Sequence, residues 1–151
     1  MDLRELYQET ILDHNRNPRN HYCMEEATAQ ARGFNPLCGD QLTIYIRFEG
    51  NYIKEVSFLG SGCAISQASA SLMTEALMGK TREEAEKLFR QFHGFMTDKP
   101  VQGLEKPSYQ LDKLMILEGV KLYPARVKCA TLAWHTLEAA LQEAAETVTT
   151  E

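Results

Sequence analysis

No stretch of this 151-residue chain approaches the ~20 consecutive apolar residues that a membrane-spanning helix requires. Membrane embedding is therefore not expected. The opening, Met1-Asp2-Leu3-Arg4-Glu5-Leu6, lacks the apolar core and cleavage site of a secretory signal. The expected compartment is the cytoplasm. Basic residues are outnumbered too: 16 Lys and Arg stand against 21 Asp and Glu, for a net charge of −5. A general nucleic-acid binder needs clustered Lys and Arg for its phosphate contacts, so that class is set aside. Cysteine is sparse, at Cys23, Cys38, Cys63 and Cys129. An even count permits disulfides in an oxidising compartment, but they rarely persist in a reducing cytosol. Metal binding, thiol chemistry or plain burial remain. The core needs none of these, because a chain of this length buries about two-thirds of its unfolded surface.

What is present reads as one domain over residues 1–151. Leu3, Leu6, Tyr7 and Ile11 share a helical face, which predicts a helix over 3–14, stopped by the Asn17-Pro18 turn. Residues 26–33 carry a weak strand pattern, expected at a sheet edge. Gln41 to Glu49 alternates, with Leu42, Ile44, Ile46 and Phe48 on one side. Gly50-Asn51 turns the chain into a second strand, Tyr52 to Leu59, and the pair forms a hairpin. A helix follows over 64–78. Thr81 and Glu84 fit a capping box for another, expected to stop at Gly94. Residues 95–109 read as a loop and 110–118 as a short helix closed by Gly119. Pro124 suits the first turn of a last helix, with Val127, Ala130, Trp134, Leu137 and Leu141 as its apolar stripe. The sum is an α+β fold: a small antiparallel three-stranded sheet with helices packed on one face.

Three cysteines stand where a loop meets a regular element. Cys38 lies in Asn35-Pro36-Leu37-Cys38-Gly39-Asp40, before a strand. Cys63 lies in Gly60-Ser61-Gly62-Cys63-Ala64, between a strand and a helix. Cys129 lies in Arg126-Val127-Lys128-Cys129, early in the last helix. Loop ends bring distant side chains together, and glycine lets the backbone approach a ligand closely. Zinc takes thiolates and carboxylates, usually four in a tetrahedron. Three thiolates and the Asp40 carboxylate complete such a set if Gly39 turns Cys38 and Asp40 to the same side. Cys63 would gain from a helix N-terminus, which favours an anion. Arg126 is near enough in sequence to Cys129 to steady a thiolate or persulfide. Dispersed cysteines also fit the opposite reading, three inert buried thiols, and spacing alone leaves both open.

These segments, extended through Cys63-Ala64-Ile65-Ser66 and Cys129-Ala130-Thr131-Leu132-Ala133-Trp134, strongly resemble the SufU-type proteins of the IscU/NifU N-terminal family. Leu6-Tyr7 through Asp13-His14 and Asn17-Pro18-Arg19-Asn20 resemble the opening of the same family. Two features favour the SufU branch. IscU proteins carry a histidine before the third cysteine, where this chain has Lys128. SufU proteins carry an extra segment between the second and third cysteines, and residues 95–118 resemble it. The resemblance implies the SufE/NifU-like fold and a zinc ion held by Cys38, Asp40, Cys63 and Cys129. It implies a partner, a pyridoxal-phosphate-dependent cysteine desulfurase of the SufS type, whose persulfide sulfur passes to Cys38. It also implies a partner histidine that replaces Cys38 on zinc. The alternative function is a scaffold that builds a transient [2Fe–2S] cluster on the same ligands, with other Suf assembly proteins as further partners.

The remaining candidates have bland readings. Cys23 has no Gly or Asp companion and is taken as a non-ligand. His14 suits a helix end, and His21, His93 and His135 show no metal-ligand spacing. Trp134, Met73 and Leu77 are expected in the core, and Glu83, Glu84 and Glu86 on a solvated helix face.

Overall fold

The computed structural model describes residues 3–98, 111–142 and 148–149. Helix α1 (Leu3–Arg16) is followed by strands β1 (Ala29–Asn35), β2 (Asp40–Glu49) and β3 (Tyr52–Ser61). Helices α2 (Ala64–Leu77) and α3 (Arg82–Thr97) come next, then a 3-10 segment (Asp112–Leu122), helix α4 (Pro124–Leu141) and a two-residue strand β4 (Val148–Thr149). No helix among the described residues is long and apolar enough to cross a membrane.

The sheet order is β3-β2-β1-β4. The first three strands are antiparallel, as the alternation predicts, and β4 adds a short parallel pairing to Gly33 and Phe34. β1 is therefore flanked on both sides rather than at an edge. It also runs two residues past the expected end, because Ala29, Ala31, Gly33 and Asn35 are all buried by the helices. The inner face of β2 presents Leu42, Ile44 and Ile46, and that of β3 Ile53, Val56 and Phe58. Onto it pack α2 and α4. Trp134 is fully buried, stacks on Phe92 at 4.5 Å between centroids, and donates its indole N–H to Ser69 Oγ at 3.2 Å.

Two helix ends test the sequence rules. Thr81 caps α3 as expected: its Oγ1 accepts from Glu84 N–H, and the Glu84 carboxylate accepts from Thr81 N–H. The other end is corrected, since α3 continues through Gly94 to Thr97. Phe95 and Met96 are buried, and their packing holds the turn that glycine alone disfavours. Asp98, in the left-handed region at φ 55°, ends it instead. The expected loop thus begins after residue 97, and residues 99–110 lie outside the described ones. The segment after it passes through Gly119 to Leu122 as 3-10 helix, not as a short helix closed by the glycine.

His14 ties α1 to α2 and is almost fully buried. Ser71 Oγ accepts Arg19 N–H at 2.8 Å and shares a hydrogen bond with His14 Nδ1 at 2.7 Å. The Nε2 side of the ring then faces Glu75 Oε1 at 3.7 Å. Burial holds the His14 pKa below its ordinary 6.5; Arg19 and Lys113 push the same way, against Glu75 and Asp13. Burial likewise lowers His135, which stands beside Phe89 and His93. A base with a lowered folded pKa binds fewer protons folded than unfolded between the two values. Stability is then complete above pH 6.5 and falls as pH drops toward the folded value. We expect the thermal midpoint to decline below pH 6.5, and His14→Gln to flatten that decline. Unfolding monitored by circular dichroism across this window checks both.

Candidate metal centre

The site forms where three loop-to-element junctions meet at one end of the sheet. β1 and β2 pair in register up to Asn35 opposite Asp40, so Pro36-Leu37-Cys38-Gly39 closes the hairpin. Gly39 takes φ +68°, and with no neighbour within 4 Å of a Cβ there, the reason for glycine is the backbone conformation. The turn leaves Cys38 half-exposed and places Asp40 fully inside. β3 ends alongside, with Ser61 opposite Gln41, and Gly62 leads into Cys63 at the start of α2. From the other direction, Pro124 starts α4 and Cys129 follows in its second turn, completely buried.

Asp40 organises these pieces. Its Oδ1 accepts Cys63 N–H at 2.8 Å, and its Oδ2 accepts from Asn35 Nδ2 at 3.2 Å. The Asn35 amide also donates to Cys129 Sγ at 3.6 Å. The Cys129 thiol donates to Cys38 Sγ at 3.0 Å. One ligand atom each from Cys38, Asp40 and Cys129 lies within 4.8 Å of the others, the spacing of groups that share a metal ion. Cys63 stands outside that trio, although its thiol is a hydrogen-bond partner of Cys129. It is the N-cap of α2, and its Sγ accepts Ser66 N–H at 3.5 Å. A thiolate can keep such a hydrogen bond while it ligates a metal.

The electrostatics suit a cation. Burial, then hydrogen bonds with Cys38, Asp40 and Cys63, push the Cys129 thiol far above the usual thiol range. A strong positive charge beside it is needed to make it a thiolate. Arg126, one turn earlier on α4 and exposed, brings one: its Nη1 is 3.7 Å from Cys38 Sγ. The guanidinium is in turn held more firmly protonated, first by its hydrogen bond with Cys129 and then by the charges of Cys63, Cys38 and Cys129. The donor set, three thiols and a carboxylate, fits zinc in chemistry. Zn–S bonds of ~2.3 Å in a tetrahedron hold sulfurs about 3.8 Å apart, so Cys38 and Cys129, whose sulfurs stand 3.0 Å apart, would separate slightly to share the ion.

Cys23 is exposed and outside the cluster. The sequence did not single out Asn35, nor Asp40 as the group that the glycine beside Cys63 approaches closely. A Cβ on Gly62 would lie 2.5 Å from Asp40 Oδ1. The signal for Asn35 was its phase: it shares the buried face of β1 with Ala29, Ala31 and Gly33, where a polar side chain must have a reason.

Comparison with known proteins points the same way. A family model described as the NifU-like N terminal domain matches residues 6–130. The chain is 38% identical over 144 residues to the iron–sulfur cluster assembly scaffold protein IscU of Streptococcus pyogenes serotype M1, covering 95% of this chain and 87% of that one. It is also 38% identical over 137 residues to the zinc-dependent sulfurtransferase SufU of Bacillus subtilis strain 168, covering 91% and 90%. Among solved structures, FiSufU of Fervidobacterium islandicum AW-1 superposes with a TM-score of 0.79 at 38% identity, over 93% of this chain and 99% of that one. A NifU-like N-terminal protein of Brucella abortus shares the fold, with a TM-score of 0.78 at 21% identity over 94% of this chain and 96% of that one. The chain belongs to the NifU-like N-terminal domain family, alongside the IscU and SufU proteins of iron–sulfur cluster assembly.

Proposed function

We propose that this chain is a zinc-dependent sulfur acceptor of the cytoplasm, which takes persulfide sulfur from a SufS-type cysteine desulfurase onto Cys38. The observation that carries the reading is the unequal exposure of one cluster. Asp40 and Cys129 are fully buried, whereas Cys38 sits half-exposed in a turn with Arg126 at 3.7 Å. Of the trio, Cys38 is the one a partner can reach.

Cys38, Asp40, Cys63 and Cys129 would hold the zinc. Bound there, it supplies the positive charge that keeps the thiols deprotonated at neutral pH. The Cys38 thiolate attacks the outer sulfur of the desulfurase persulfide. The new bond joins Cys38 Sγ to that sulfur, and the old sulfur–sulfur bond breaks, returning its electron pair to the desulfurase cysteine. One sulfane sulfur moves, with no net oxidation. Arg126 stands where it pairs with the anion on Cys38 before and after transfer. The sulfur comes from the cysteine that the desulfurase cleaves with its pyridoxal phosphate, and that cofactor makes no demand on this chain.

A second reading is a [2Fe–2S] scaffold on the same ligands, with other Suf assembly proteins as recipients. It is supported by the name of the Streptococcus relative and by thiolates that accept zinc and iron–sulfur clusters alike. Metal analysis of protein purified without oxygen, joined to a desulfurase assay, separates the two. We expect one zinc per chain, no colour, and a desulfurase rate that rises on addition of the protein. A coloured iron protein that leaves the rate unchanged selects the scaffold. Colourless zinc protein with no effect on the rate overturns both.

A further inference from the structure

We propose that Asn35 is a positioning residue of the metal centre, whose side-chain amide donates to Asp40 and to Cys129 and thereby fixes both buried ligands. The inference rests on the metal reading above and gives a role to the first residue of the Cys38 motif, which is not itself a ligand.

Three observations carry it. First, Asn35 is fully buried at the last pair of the β1–β2 ladder, directly opposite Asp40. Second, one nitrogen serves two ligands: Nδ2 lies 3.2 Å from Asp40 Oδ2 and 3.6 Å from Cys129 Sγ. Those ligands come from β2 and α4, so the amide joins the sheet side of the site to the helix side. Third, Asn35 Oδ1 is buried with no hydrogen-bond partner among the described residues. Filling space does not call for an amide here, since Ala31 and Gly33 occupy the same face of β1. An unpaired buried oxygen is unfavourable, so the donor half of the amide gives the side chain its use.

The physical role follows from charge. A buried Cys₃Asp set is anionic when its thiols are deprotonated. Hydrogen bonds donated to ligand atoms spread that charge and fix each ligand's direction. Such outer partners are worth about 10–100-fold in metal affinity. Asp40 Oδ1 is already held by Cys63 N–H, and Asn35 holds the second oxygen, which limits the rotation of the carboxylate.

Asn35→Leu keeps the branching of the side chain and removes the donors. Zinc affinity by competition with a chromophoric chelator is expected to fall about 10–100-fold. In the cobalt-substituted variant the thiolate-to-cobalt charge-transfer band should move to lower energy, because a thiolate that loses a hydrogen bond donates more readily. A residue that only filled space would leave that band in place. Asn35→Ala is the second variant, should the leucine chain not fold, and is expected to show the same shift. A third readout uses the unaltered protein: the Asn35 side-chain amide resonances should move when cadmium is added to the metal-free chain. Wild-type protein that binds no zinc or cobalt would sink the metal reading itself. Wild-type binding with unchanged affinity and band position in a folded Asn35 variant, or amide resonances that ignore cadmium, would overturn the role of Asn35 alone.

Discussion

Cys38→Ala is expected to abolish sulfur transfer and desulfurase stimulation, to the background rate of the desulfurase alone. The loss should be complete because no neighbouring thiol can substitute. Cys129 is fully buried beneath the hairpin turn, out of reach of a partner's persulfide. Cys63 is half-buried, with its sulfur occupied as the cap of α2. Cys38, exposed to the same degree as Cys63, differs in standing in a turn and in facing a guanidinium. The fold should survive, since Cys38 occupies a turn and contributes nothing to the apolar core. The checks are mass spectrometry of the sulfur-loaded chain and alanine production by the desulfurase. The wild type should gain the mass of one sulfur atom and the variant none. Undiminished stimulation by Cys38→Ala would remove Cys38 from the acceptor role. Loss of stimulation with a persulfide still found on Cys63 would move that role to Cys63.

Much of this scaffold is legible in the residues, for reasons that differ by element. The β2–β3 hairpin is readable because alternation of Leu42, Ile44 and Ile46 has a period only a strand can satisfy, and Gly50 accepts the turn at φ +61°. The Thr81–Glu84 box is readable because capping is local chemistry, complete within four residues. The place of Cys63 at a helix start is readable for the same reason. Where tertiary packing decides, sequence rules fail. Gly94 stops nothing, because Phe95 and Met96 gain more by burial than the glycine costs. The Asp112–Leu122 segment is 3-10 rather than α, and no local motif marks it. The pairing of β4 with Gly33 and Phe34 joins residues more than a hundred apart in the chain. The site divides in the same way. The motifs put Cys38, Asp40 and Cys129 on junctions that meet at one end of the sheet, and Gly39 turns the first two toward one point. The Asn35 and Gly62 contacts depend on how three separate junctions dock, which no spacing encodes.

Gly62→Ala is expected to damage the metal centre as severely as loss of a ligand, although the substitution adds one methyl group and replaces no ligand. The backbone does not forbid it, since Gly62 is absent from the residues with positive φ. Space does. A Cβ at position 62 would stand 2.5 Å from Asp40 Oδ1 and 3.1 Å from its Cβ and Cγ. A flexible surface carboxylate would swing aside. Asp40 is fully buried, with one oxygen held by Cys63 N–H and the other by the Asn35 amide. Relief therefore has two routes, and both reach the site. Either the Asp40 carboxylate rotates, breaking both hydrogen bonds and moving a ligand, or the β3–α2 junction retreats and takes Cys63 with it. We expect zinc affinity to fall by about 100-fold or more, beyond the ordinary range for an outer partner because a ligand itself is displaced. Metal-free stability should change far less. The clash is partly offset by the ~0.4–1 kcal/mol that replacing glycine contributes through the unfolded chain. Chelator competition and thermal unfolding in the presence of chelator measure the two effects separately. Retention of zinc affinity within about threefold would mean that Asp40 is not held where its hydrogen bonds place it, and with it would go the argument that a pre-set carboxylate shapes this centre.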